Sequence, residues 1–232
     1  MTSPQPALHL RVLCSDVDSF DRWRAVVDSA AALVAAVAVT DPSSCGPDPS
    51  RDQVVLERAA ATNDPVLVLP VPRPGIAATS GHAPAAPTRP GPAGTHRILA
   101  PIDRTPAEHQ TLVPLLQRAQ EMGIEIEQMH VLAGPTRPPM WEGPGHHADA
   151  WLAQLRLHHQ VGDATMVVRS GEPATAIRAA SPRADLLVVC WNGDATRGRA
   201  RVLRSLLRHA RQPLLLVRVA PPRTPIPEEE HR

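Results

Sequence analysis

The sequence predicts an α/β protein, a parallel sheet with helices on both faces preceded by a shorter α/β half. Three observations predict it. Short apolar runs rich in Val, Leu and Ile alternate with stretches of helical period along most of the chain. The runs are continuous rather than alternating with polar residues, as in strands buried on both faces. Between them Arg73–Thr95, RPGIAATSGHAPAAPTRPGPAGT, is rich in Pro, Gly and Ala and has no apolar period. That segment reads as a linker and sets the expected boundaries: a shortened α/β half over 1–72, the linker over 73–96, a complete unit over 97–220 and a disordered tail over 221–232.

In the first half, Leu8–Cys14 is a predicted strand, Ser19–Ala31 a helix, Leu33–Val39 a strand, Ser50–Ala61 a helix and Val66–Val71 a strand. Three strands make an incomplete sheet, which is expected to pack on the second half or on a partner rather than fold alone. In the second half Arg97–Ile102 is a strand. Thr105-Pro106-Ala107-Glu108 then starts a helix: a hydroxyl at the N-cap, Pro at the first helical position and Glu three residues after the cap. Leu112, Leu115, Leu116 and Ala119 share one face, Pro114 predicts a kink, and Gly123 ends the helix. Ile124–Leu132 is a strand, Gly134–Gly145 a Pro-rich loop and Ala148–His159 a helix. Thr165–Arg169 is a strand, followed by a helix within Gly171–Ala180 that Pro173 opens. Asp185–Cys190 and Pro213–Val219 are the last strands and enclose a helix from about Ala200 to Ala210. The loop after Cys190 lies at the carboxyl end of a strand and the amino end of a helix, where such folds receive phosphates.

Composition narrows the function. The chain has 232 residues and a net charge of +1, and all 24 of its basic residues are Arg. Without lysine there is no Walker-type phosphate lysine and no Schiff-base or pyridoxal-phosphate chemistry. Cys14, Cys45 and Cys190 lack zinc-type spacing and read as free thiols of a reducing compartment. The start, MTSPQPALHLR, has no signal-peptide pattern. The longest apolar run, Ala30–Val39, is far short of the ~20 residues that span a bilayer. A cytoplasmic protein is the expectation. With Phe20, four Trp and no Tyr, stacking platforms for nucleic acid are not expected.

Several local patterns compete for a function. Arg197, Arg201, Arg204, Arg208 and Arg211 form one stripe down the last helix, usually a solvated face. Its functional reading puts guanidinium groups of Arg197, Arg199 and Arg201 on a phosphate. His146, His147, His158 and His159 are spread over too many helical turns for one ion and read as surface residues, so no metal is expected. Gly143-Pro-Gly-His-His-Ala148 follows a loop rather than a strand and is set aside as a dinucleotide motif. Asp16-Val17-Asp18 after a strand is similar to the first motif of haloacid-dehalogenase-type phosphatases, with Asp16 as nucleophile, Asp18 as general acid and Mg²⁺. The phosphate-stabilising lysine is missing, and capping of the next helix explains these residues more simply.

Arg97–Val219 resembles the universal stress protein domain. Ile98–Thr105, ILAPIDRT, stands where that family opens with ILVPVDGS. His130-Val131 matches the end of its second strand, and Gly171-Glu172-Pro173-Ala174 its G-x-P-A helix start. Leu206–Arg218, LLRHARQPLLLVR, echoes its closing phrase. The resemblance implies a flavodoxin-like, Rossmann-like sheet of order 3-2-1-4-5, with 1–72 as an eroded second copy. It implies a non-enzymatic regulatory protein of a family many of whose members bind ATP, and a homodimer or tandem-half pairing through the apolar last strand. Ile102, Asp103 and Val131 would then lie near an adenosine, and Gly193 and Arg201 near the phosphates. The family's G-x2-G-x9-G-[ST] loop is altered here. Its first Gly falls on Cys190, its second on Gly193, and its third on Ala200 in a loop about three residues shorter. Cys190 and Ala200 put side chains where backbone should approach phosphate, which stands against ATP held in the family manner.

Overall fold

Eight strands form one sheet in the computed structural model, which describes residues 9–14, 21–34, 37–41, 51–62, 64–70, 95–103, 105–132, 161–196 and 200–219 together with 153, 156 and 157. In chain order the elements are β1 (His9–Leu13), α1 (Arg24–Leu33), β2 (Val37–Asp41), α2 (Arg51–Ala61), β3 (Val66–Val68), β4 (Arg97–Ile102), α3 (Pro106–Glu121), β5 (Glu125–Leu132), β6 (Thr165–Ser170), α4 (Pro173–Ala180), β7 (Leu186–Trp191), α5 (Arg201–His209) and β8 (Leu214–Arg218). The order across the sheet is β2-β1-β3-β8-β7-β4-β5-β6. From β6 to β8 this is the expected 3-2-1-4-5 order, all parallel. The first half joins it through one antiparallel pair, Val66–Val68 against Leu216–Leu214. Over Leu214–Leu216, β8 is thus paired on both sides, by β3 and by β7.

Strand alternation divides the core. Leu10, Val12, Leu67, Ile98, Leu186 and Leu215 point to one face, under α1 and α3. Their neighbours Leu13, Val66, Leu99, Leu187, Leu214 and Leu216 point to the other, under α2, α4 and α5. Each core takes residues from both halves, so apolar burial binds the halves together along the whole sheet.

Local chemistry sets the element ends. At α3 the Thr105 hydroxyl accepts from the Glu108 amide at 3.3 Å, with Pro106 at the first position. The helix runs on through the exposed Pro114. At its end Gly123, φ +74°, receives the chain: its amide donates to Gln120 O and the Ile124 amide to Ala119 O. That is a Schellman closure, with Ile124 and Ala119 both in the core. At the entry to β4, Asp185 Oδ2 accepts from the amides of His96 and Arg97 at 2.9 and 3.0 Å.

Glu172 caps α4, accepting from Ala174 and Thr175 amides at 3.1 and 2.7 Å. Hydrogen bonding from Thr175 holds its carboxyl below the ordinary range, against a smaller opposing effect of burial. A folded value below the unfolded one stabilises above the ordinary carboxylate range, and the gain is lost as pH falls through the folded value. Glu172→Ala is expected to cost about 1 kcal/mol at neutral pH. The difference between variant and parent should shrink on acidification, as thermal melts across that range would show.

Two first-half boundaries differ from expectation. The Leu33–Val39 strand is displaced: α1 continues to Leu33 and β2 begins at Val37. Ala30 and Leu33, three apart and both buried, prolong the helix's apolar face, and the surrounding alanines favour helix over strand. The Val66–Val71 strand shortens to Val66–Val68, although the Leu69 amide still donates to Leu13 O. The linker expected over 73–96 lies outside the described residues apart from 95 and 96. So do the tail, the Gly134–Gly145 loop and most of the Ala148–His159 helix.

Candidate functional site

Parallel strands of one hand bring β4, β5 and β7 to a common carboxyl edge, and the fold places its candidate site there. β4 ends at Ile102, whose register partner on β5 is His130. The His130 Nδ1 lies 3.0 Å from Ile102 O. A carbonyl only accepts, so that nitrogen carries the proton. Asp103 follows at the surface. Its Oδ1 accepts from the Thr105 amide at 2.9 Å, while its own amide donates to Glu108 Oε2 at 2.7 Å. Glu108 thus reaches back past the N-cap residue and is buried in doing so. Burial would raise the Asp103 carboxyl, but hydrogen bonding with Glu108 and Thr105 and the charge of His130 outweigh it and hold it below its ordinary value.

Cys190 completes this corner from β7. Burial pushes its thiol up, and the charges of Glu108 and Asp103 push it further. The thiol is therefore neutral at physiological pH and not a nucleophile. The gap between β4, α3 and β5 is small. A cleft of about 10 Å³ lies between Ile102, Thr105, Glu108 and Gln128, room for about one water. Val161 closes its inner side, its amide donating to Gln128 Oε1 and its carbonyl accepting from Gln120 Nε2.

The loop after β7 is bonded to itself. The Asp194 amide donates to Asn192 Oδ1 at 3.0 Å and the Thr196 amide to Asp194 Oδ1 at 2.9 Å. Trp191 Nε1 donates to Asp194 O at 3.2 Å. Arg204 of α5 folds over the loop, donating to Ala195 O at 2.5 Å and Thr196 O at 3.1 Å, and reaches Gln53 Oε1 of α2 at 2.6 Å. An anion held by such a loop needs its amides. Two of them are taken by side-chain oxygens, and the Asp194 carboxylate occupies the role of the anion. Gly193 has φ +84°, and an added Cβ would stand 2.9 Å from Arg218 Nε. The positive φ and the approach of Arg218 both favour glycine at this position.

Ile102, Asp103 and Val131 come together at the carboxyl edge of β4 and β5, as expected. Gly193 and Arg201 sit at the same edge beyond β7, with Arg201 exposed and near Glu172. Arg197, Arg199, Asp16 and Asp18 lie outside the described residues, as do His146, His147, His158 and His159. Sequence reasoning missed Glu108 as more than a cap, the buried His130, and Arg204 as more than one member of a solvated stripe. Among the described residues no group of three His, Cys, Asp or Glu could hold a metal ion, and no helix is long and apolar enough to cross a membrane.

Residues 94–218 match the profile of the Universal stress protein family. No curated protein matches the chain in sequence at a significant level. Solved structures share the fold at low identity. A protein from Pseudomonas aeruginosa classed with the universal stress proteins is 13% identical, with TM-score 0.50 over 92% of this chain and 83% of that one. A universal stress protein from Archaeoglobus fulgidus is 15% identical, with TM-score 0.44 over 73% of this chain and 54% of that one, so the match spans little more than half of that protein. A universal stress protein family protein from Arabidopsis thaliana, solved with AMP bound, is 17% identical, with TM-score 0.36 over 56% of this chain and 95% of that one.

Proposed function

The chain belongs to the universal stress protein family, and from that premise we propose that it is a non-enzymatic regulatory protein that acts by contact with a protein partner and does not hold a nucleoside triphosphate in the loop after β7. One observation carries this reading. Two amides of that loop, those of Asp194 and Thr196, are spent on Asn192 and Asp194, and the carbonyls of Asp194, Ala195 and Thr196 on Trp191 and Arg204. Opening it for phosphates exchanges bonds already made for new ones, with little net gain. In this reading Ile102, Asp103 and Val131 are assigned to a weakly held adenosine. Gly193 belongs to the turn, and Arg201 to the contact between α4 and α5. The neutral Cys190 and the absence of lysine support a site without chemistry of its own.

Ligand-dependent melting with ATP, ADP, AMP and adenosine at millimolar concentration, with and without Mg²⁺, tests the proposal. The expected result is that ATP stabilises no more than adenosine does, and that any shift disappears in Asp103→Ala. Larger, Mg²⁺-dependent stabilisation by ATP would overturn it.

A further inference from the structure

We propose that the first half is a clamp on the loop after β7: α2 holds residues 192–196 closed through the Arg204 guanidinium, a role that rests on the reading of that loop as closed and names what closes it.

The clamp is one planar group shared between two elements. Arg204 of α5 donates through one terminal nitrogen to Thr196 O at 3.1 Å. Its other terminal nitrogen donates to Ala195 O at 2.5 Å and to Gln53 Oε1 of α2 at 2.6 Å. A guanidinium is rigid, so a bond that fixes one nitrogen orients the other as well. Gln53 is itself fixed, because its Nε2 donates to Glu57 Oε1 at 2.6 Å one turn further along α2. An ionised carboxylate only accepts and a guanidinium only donates. The amide therefore has one orientation, nitrogen toward Glu57 and oxygen toward Arg204. Packing keeps the two helices in place, since Val55, Leu56 and Ala59 of α2 share a core with Leu203 and Leu206 of α5.

The loop is gripped at successive carbonyls. The Trp191 indole, seated in the same core, holds Asp194 O at 3.2 Å, and Arg204 holds the next two. Near its other end α2 meets the loop again. Arg218 donates to Ala60 O and Thr62 O at 2.9 and 3.2 Å and lies against Gly193. One helix of the first half is thus tied at two points to a loop that belongs to the candidate site of the second. A displacement of α2 from α5 withdraws the Gln53 acceptor, frees the guanidinium to turn and lets the loop open. One hydrogen bond to a charged group shifts such an equilibrium several-fold, so the clamp sets how often the loop opens.

Hydrogen exchange of the Trp191 indole proton, followed by NMR on the full chain without ligand, reads that opening. Gln53→Leu keeps the bulk of the side chain and removes the acceptor. It should quicken exchange at the indole and at the Thr196 amide about fivefold, and leave protection at Val12 and Val188 as in the parent. Arg204→Met should quicken both sites about tenfold or more. Adding Gln53→Leu to Arg204→Met should change the rates by less than about twofold, since the acceptor then has no donor to hold. Unchanged indole exchange in Gln53→Leu would overturn the proposal. So would equal quickening in both backgrounds, which would mean that Gln53 acts by a route other than Arg204. A matching fall of protection at Val12 and Val188 would also overturn it, because the effect would then be a general loss of stability. Larger stabilisation by ATP refutes a loop closed to phosphates, whereas a loop indifferent to Gln53 refutes the clamp, so the two failures are told apart.

Discussion

Leu67→Ala is expected to destabilise the whole chain by about 3 kcal/mol, within the ~2–5 kcal/mol range for large-to-small changes in a packed core. Leu67 is fully buried in β3, a strand of three residues placed between β1 and β8. Its side chain packs in a core that also holds Leu10 and Val12 from the first half and Ile98, Leu186 and Leu215 from the second. A hole there removes contacts from both. Amide exchange at Val12 and at Val188 gives one probe in each half. Protection should fall by the same amount at both, in a single cooperative transition. Loss confined to Val12 would mean that the halves are separate folding units, and the shared core would lose its meaning.

Arg218→Ala is expected to cost about 2 kcal/mol, the scale of charged hydrogen bonds lost without replacement. Arg218 ends β8, yet its guanidinium caps carbonyls of Ala60 and Thr62 at the end of α2 and lies under Gly193. Its removal leaves helix-end carbonyls unpaired and takes away the group against which the β7 loop rests. Two readouts separate this from ordinary surface trimming: amide exchange in the last turn of α2 should quicken, and so should exchange at Asp194 and Thr196. Arg218→Lys should restore little, since an ammonium lacks the fork that spans two carbonyls. A loss below about 0.5 kcal/mol, the range of an ordinary surface change, would show the contact to be incidental.

The second half was legible because each signal there is local. Thr105, Pro106 and Glu108 announce the start of α3, Gly123 announces its end, and continuous Leu and Val runs mark β7 and β8. The first half was harder to divide. Its alanine-rich segment around Ala30–Val39 has neither a clear period of two nor one of 3.6, so the buried contacts of Ala30 and Leu33, together with the helix propensity of alanine, placed the boundary. At the site, Ile102, Asp103 and Val131 could be located because strand ends locate them. The damage to the loop after Cys190 could also be read, since missing glycines are visible in a sequence. What closes that loop could not.

The sequence by itself determined the α/β alternation, the 3-2-1-4-5 order through its family likeness, the strand ends on which the candidate residues lie and the absence of any lysine-based chemistry. Tertiary structure alone decided that the two halves share one sheet through Val66–Val68 and Leu214–Leu216. It also decided that Arg204 bonds Gln53 across 151 positions of chain, and that Arg218 reaches the carbonyls of Ala60 and Thr62. Periodicity and capping are short-range properties that neighbouring residues express among themselves. Which arginine meets which carbonyl depends on how strands distant in sequence are brought into register, and no local pattern records that.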